Sequence, residues 1–166
     1  MVEILLAAIL AALAPVPSEG PQAAPPAATR SSQMSHAVGT FDVQITPVEP
    51  GEADEALGHG RLRIAKTFHG DLQGTSAGEM LATMDDGQSG AYVALERVSA
   101  TLGGRSGAFT LAHRGIMDRG AQDLLITIVP GSGVDGLTGI SGVFHLTIVG
   151  GEHRYDLEYD LPEDAR

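Results

Sequence analysis

Between Val38 and Leu161 the chain keeps alternating apolar with polar residues, and glycine falls at nearly every break in the alternation. A period of two sends successive side chains to opposite faces of an extended strand, so one face can be buried while the other stays wet. Eight such runs follow one another through short turns. Eight strands of this length are enough to close a small barrel, which removes sticky sheet edges and encloses a ligand-sized interior. The expected fold is therefore all-β, an eight-stranded antiparallel, closed or nearly closed barrel. Sequential hairpins with short turns favour an up-and-down order over a Greek key.

The runs can be placed individually. Phe41, Val43 and Ile45 share one face, and Pro47 and Pro50 end that strand because proline cannot donate to a ladder. After an acidic loop from Glu49 to Gly58 comes Gly60 to Asp71, with Leu62, Ile64, Lys66 and Phe68 on one face. Thr75 to Met84 follows, and Asp85-Asp86-Gly87 has hairpin-turn chemistry. Gly90 to Leu102 and Arg105 to Arg119 flank the tight-turn dipeptide Gly103-Gly104. Gln122 to Val129 is nearly all apolar, which predicts a strand covered on both faces. Pro130 to Gly136 reads as a loop, and Ile140 to Val149 with His153 to Leu161 form a last hairpin about Gly150-Gly151. Gly39, Gly74, Gly78 and Gly107 read as bulges or barrel corners.

The residues before this pattern differ in kind. Ile4 to Ala14 is an unbroken apolar stretch of 11 residues, too short to span a bilayer but of the length of a signal-peptide core. The expected organisation is an apolar N-terminal segment over 1–18, a Pro/Ala-rich linker over 19–36, a barrel domain over 37–161 and a short tail over 162–166. Two readings of the N-terminus stand: export to the periplasm or exterior, or a cytoplasmic chain that starts at Met34. No basic residue precedes the apolar run and Glu3 is acidic, which weakens the first.

Charge narrows the partners. The formal net charge is −11, with one lysine and nine arginines that form no run. Phosphate backbones and anionic lipid surfaces need clustered basic residues, so neither nucleic acid nor a membrane surface is an expected partner. The chain has no cysteine, which excludes disulfides, thiolate metal sites and a cysteine nucleophile. The six histidines show none of the close spacings of a dedicated zinc site, so no metal and no cofactor are expected. Gly131-Ser132-Gly133 lacks the spacing and the strand–elbow–helix context of a hydrolase nucleophile.

Chemistry can sit only where ionisable residues interrupt apolar faces. Lys66 shares its face with Leu62, Ile64 and Phe68, and His113 shares its face with Phe109, Leu111 and Met117. Glu96 lies with Tyr92, Ala94 and Val98, and Glu79 with Ala77 and Leu81. If these faces look into one barrel, Lys66, Phe68, Glu79, Tyr92, Glu96, Phe109 and His113 would line a mostly apolar cavity. Burial and pairing there supply the ingredients of acid–base work, but buried charges in small barrels also pair merely to fix the fold. Glu96 and His113 sit at nearly equal offsets from the Gly103-Gly104 turn, so they should be diagonal neighbours across one ladder. A bulge at Gly107 would bring them closer.

Several segments in order resemble a known family. They are Gly39-Thr40-Phe41-Asp42-Val43, Lys66-Thr67-Phe68-His69-Gly70-Asp71-Leu72, Ser76-Ala77-Gly78-Glu79-Met80-Leu81 and Ala91-Tyr92-Val93-Ala94-Leu95-Glu96-Arg97. Gly104-Arg105-Ser106-Gly107-Ala108-Phe109-Thr110-Leu111-Ala112-His113, Val129-Pro130-Gly131-Ser132-Gly133 and Gly136-Leu137-Thr138-Gly139-Ile140 continue the series. Together they resemble the bacterial domain-of-unknown-function 3224 family, similar in fold to the allene oxide cyclase barrel. The resemblance implies an eight-stranded barrel with a central cavity, a homo-dimer or homo-trimer, and no established reaction. Leu124-Leu125 stand where that family tends to carry Trp.

Three functions are consistent with these residues. The first is a non-catalytic barrel that binds an apolar small molecule of lipid or terpenoid type. The second is a cofactor-independent isomerase or cyclase that folds a reactive apolar substrate into a productive conformer. The third is a structural or oligomer-forming protein.

Overall fold

The computed structural model describes residues 34–84 and 88–163. The N-terminal apolar segment, most of the linker and the Asp85-Asp86-Gly87 turn lie outside the described residues. Nine strands and one short helix run in the order β1 (Ser35–Pro47), α1 (Glu52–Leu57), β2 (Gly60–Gly70), β3 (Leu72–Met84), β4 (Gly90–Leu102), β5 (Arg105–Asp118), β6 (Ala121–Ile128), β7 (Val134–Asp135), β8 (Ser141–Val149) and β9 (Glu152–Asp160). No helix among them is long and apolar enough to cross a membrane.

Eight of the strands close a ring. Each long strand pairs antiparallel with its neighbours in sequence, β4 pairs with β5, and β9 returns to pair with β1. Short β7 adds to the side of β5 through Gly107 and Ala108. The result is an eight-stranded up-and-down barrel, the architecture the alternation predicts.

Two glycine pairs make the tight hairpins possible. Gly103-Gly104 and Gly150-Gly151 all adopt positive φ, which the two-residue turns favoured by strand twist require and which costs glycine little.

The β4–β5 register runs without offset from Leu102↔Arg105 to Gly90↔Met117, so Gly107 makes no bulge. Its role is close approach: a Cβ there would fall 2.4 Å from the Val134 carbonyl oxygen of β7. β1 begins at Ser35, inside what the composition assigned to the linker, and His36 Nδ1 lies 2.9 Å from Asp156 of β9. The acidic loop carries the six-residue α1.

The two ends of the barrel differ. At the end carrying the β2–β3 and β4–β5 turns, Ala37, Leu72, Leu102, Leu137 and Ile140 are buried and plug the interior. The β6–β8 connection is held over this end by Arg97, which donates to the Ser132 carbonyl at 2.8 Å, and by the Thr110 N–H, which donates to Ser132 Oγ at 3.0 Å. Phe41, Phe68, Phe109, Phe144 and Tyr155 fill the middle. At the opposite end, inward-facing apolar residues reach solvent: Ile45 is 52% and Ile148 58% exposed. One end is a packed core and the other an open mouth.

β6 corrects one expectation. Leu124, Ile126 and Ile128 face inward, but Leu125 on the other side is 44% exposed, so this strand is covered on one face only. Among the described residues no layer stacks on the outside of the barrel there, and a half-buried strand results despite its apolar sequence.

Candidate functional site

Four polar side chains from four consecutive strands meet inside the barrel. Lys66 comes from β2, Ser76 from β3, Glu96 from β4 and His113 from β5, and all are buried, Glu96 completely. Lys66 Nζ donates to Glu96 Oε2 at 2.8 Å, and Ser76 Oγ donates to Glu96 Oε1. His113 Nε2 lies 3.0 Å from Glu96 Oε2, at ion-pair distance but off the line of a hydrogen bond. The register explains the meeting. Lys66 stands opposite Ser76, while Glu96 faces Leu111 and His113 faces Ala94, which makes the acid and the imidazole diagonal neighbours as their offsets from the turn imply.

The surroundings of Lys66 are unusual for a lysine. Its ammonium sits 4.8 Å from the centroid of Phe41, 5.7 Å from Phe144 and 6.0 Å from Phe68. Ring faces attract a cation when water is excluded. Glu96 supplies the formal countercharge and the three rings supply the rest of the cage. Burial alone would push the Glu96 carboxyl up. The neighbouring His113, Lys66 and Ser76 outweigh that and hold it at about 2.

Glu79 does not join them. It stands on the outer face, where it pairs with Arg61 at 3.1 Å. The inward residues of β3 are Leu72, Gly74, Ser76, Gly78 and Met80, so the expected face of Ala77, Glu79 and Leu81 is the wrong one. Phe109 is fully buried in the middle layer, and Phe68 belongs to the cage around Lys66.

Above the charged network lies open space. A cleft of about 320 Å³ occupies the mouth, walled by Met80 and Ala82 of β3, Met117 of β5, Leu124 of β6, and Leu146 and Ile148 of β8. Gln122 and Asp123 also border it, and Asp123 is engaged by Arg114 at 2.8 Å.

Tyr92 links the cleft to the network. It borders the cleft, and its ring centroid is 6.5 Å from that of His113. The ring lies against Gly115, its partner across the ladder, where a Cβ would come within 2.1 Å of Tyr92 Cε1. Burial first, and the negative charge of Glu96 second, push the Tyr92 phenol above its ordinary value, so it remains a neutral hydroxyl. Of the expected site residues, Tyr92 alone borders the cleft.

The wall residues Met80, Met117, Leu124, Leu146 and Ile148 and the network member Ser76 carry no motif. The signal for Ser76 was its place opposite Lys66, which becomes visible once the β2–β3 register is known. Among the described residues no group of three or more His, Asp or Glu stands where it could hold a metal ion.

The fold and this arrangement define the class: a small antiparallel barrel, packed at one end, cleft at the other, with a buried ionic network between. The family described as "Protein of unknown function (DUF3224)" matches residues 37–159, and the chain belongs to it. A crystal structure of a DUF3224 protein of unknown function from Shewanella oneidensis MR-1 is similar at 39% identity. The match covers 80% of this chain and 100% of that one, with a TM-score of 0.73. No curated protein matches.

Proposed function

We propose that the protein binds a small apolar molecule in the mouth of the barrel, with the Tyr92 hydroxyl as the ligand's polar contact. The observation that carries this reading is the cleft itself: an apolar-walled volume of about 320 Å³ at the one end where the inner face is open to water. Ligand sites are concave, mostly apolar, and fixed in orientation by a few polar groups. The volume lies at the small end of the range for such sites, which suits a compact hydrocarbon or terpenoid skeleton. Two methionines in the wall add adaptable, polarizable surface.

The arrangement lends less to an isomerase or cyclase. Such chemistry would use Glu96 or His113 on a bound substrate, yet both Glu96 oxygens already face partners and neither residue borders the cleft. The network ties β2, β3, β4 and β5 together, a task it performs without any ligand.

The test is extraction of purified protein into organic solvent followed by untargeted mass spectrometry, paired with Nile red titration. A compound enriched from wild type and lost from Leu146→Asp, with saturable Nile red binding also lost in that variant, is the expected result. Nile red binding indifferent to Leu146→Asp, with nothing enriched in the extract, would overturn the proposal.

A further inference from the structure

The barrel wall is not equally stitched all round. β8 pairs with β9 over nine residues, from Ser141↔Asp160 to Val149↔Glu152. With β6 on its other side it shares a single pair, Thr127↔Val143. Beyond that pair, toward the mouth, β8 from Phe144 to Val149 has no ladder to β6. β9 stays laddered to β1 as far as Phe41↔His153, one residue from its start at Glu152, and a gap of about 280 Å³ lies only beyond that pair, between Asp42 and Val43 of β1 and Gly151 to His153 at the hairpin tip. The tip carries apolar side chains without cover, Ile148 at 58% and Val149 at 52% exposed.

The root of the hairpin, by contrast, is fixed. Phe144 and Tyr155 stack with centroids 5.4 Å apart and planes inclined by 19°, and both rings contact Phe68. Tyr155 Oη accepts from the Leu72 N–H at 3.0 Å. A β9 held to β1, a β8 edge with no ladder to β6 beyond Val143 and an apolar cleft under that edge leave the mouth end of β8 as the leaf.

We infer that the seam between β6 and β8 is the gate of the cleft, opened and closed by the mouth end of β8, from Leu146 to Val149. This rests on the ligand-binding reading above. The one existing pair fixes how the gate would shut, because continuing its register sets Leu125 opposite His145 and Leu124 opposite Leu146. Leu124 and Leu146 both border the cleft, so zipping the seam brings two walls of the site together. Backbone groups along the open edges are satisfied by water when the seam is apart and by each other when it is closed, so each state has its partners. A bound apolar molecule would sit inside the mouth, beneath Leu124 and Leu146, and be enclosed as the ladder extends over it.

The chain contains no cysteine, so a two-cysteine variant can form one intramolecular disulfide. Leu125→Cys with His145→Cys places both thiols on the outer face, away from the cleft, at the next same-face position of the extended register. Stopped-flow mixing with Nile red should show association at least tenfold slower for the oxidised variant than for the same protein reduced with dithiothreitol. Equal rates, or thiols that fail to join while the far-ultraviolet circular dichroism is native, would overturn the gate. If wild type binds no Nile red, the ligand reading fails by itself, and amide exchange still decides the seam. Residues 144–149 should then exchange faster than 155–159, and equal protection of the two segments refutes the leaf.

Discussion

Glu96→Gln is the most demanding perturbation of this barrel. The substitution keeps the shape of the side chain but removes the countercharge of a buried ammonium 2.8 Å away. Breaking a buried ion pair from one side costs about 3–5 kcal/mol, because the remaining charge is left uncompensated. The Phe41, Phe68 and Phe144 rings still attract Lys66, which places the expectation near the lower figure. The depressed Glu96 carboxyl points the same way. The Glu96 carboxyl is held at about 2 against an ordinary 4.5. By linkage that depression is worth on the order of 3 kcal/mol to the fold.

The sign follows from the direction of the shift. A carboxyl depressed in the folded state stabilises the fold fully above its unfolded value near 4.5, and that stabilisation is lost as the pH falls toward about 2. Urea unfolding followed by far-ultraviolet circular dichroism suits a chain with no Trp and three Tyr. At pH 7 the Gln variant should lose about 3 kcal/mol. Between pH 4.5 and 2 the wild type should lose roughly that amount through this group while the variant does not. Lys66→Met added to Glu96→Gln should recover part of the loss, since no buried ammonium is then unpaired. A Glu96→Gln cost below about 1 kcal/mol, or an acid slope equal to that of wild type, would refute the reasoning.

Glu79→Gln is the matched control: its pair with Arg61 is solvent-exposed, so thermal unfolding should report a change of about 0–1 kcal/mol. Gly115→Ala drives a Cβ into the Tyr92 ring and should weaken Nile red binding at the cleft, an effect that Tyr92→Ala in the same chain should reduce. Tyr155→Phe strips the acceptor from the buried Leu72 N–H and should cost about 1–3 kcal/mol in urea unfolding.

The barrel was legible because its alternation is clean on strands whose inner face is bulky. β4 and β5 also have a turn that only glycines make easy, so their register, and with it the diagonal placement of Glu96 and His113, could be counted out from Gly103-Gly104. β3 misled for a physical reason. Its inner face carries Gly74, Ser76 and Gly78, whose bulk is supplied by side chains on neighbouring strands, while Leu81 sits outside at 39% exposure. The inner face is bulky only toward its ends, at Leu72 and Met80, so along Ser76 and Gly78 the alternation has no large apolar side chain to mark it, and Ala77 and Leu81 beside Glu79 read as the buried side. The aromatic cage around Lys66 draws on β1, β2 and β8, and the cleft depends on where the β6–β8 ladder stops. Both are consequences of closure, which the period of a single strand does not encode.

The pairing of β1 with β9, from Ser35↔Tyr159 to Phe41↔His153, has a consequence for the chain's birth. Of the barrel strands, the first to be made waits for the last. Until β9 emerges, β1 presents an open edge, the kind of template on which nascent chains pair with one another. The hairpins from β2 to β5 are local in sequence and can form early, carrying Lys66, Ser76, Glu96 and His113 into contact before the ring exists. A chain stopped at Gly151 should therefore aggregate, as light scattering would show, and a soluble, monomeric fragment would contradict this order of events. Translation must carry the chain past β9 before the edge of β1 is covered, so the barrel is most open to its neighbours while its last strand is still being made.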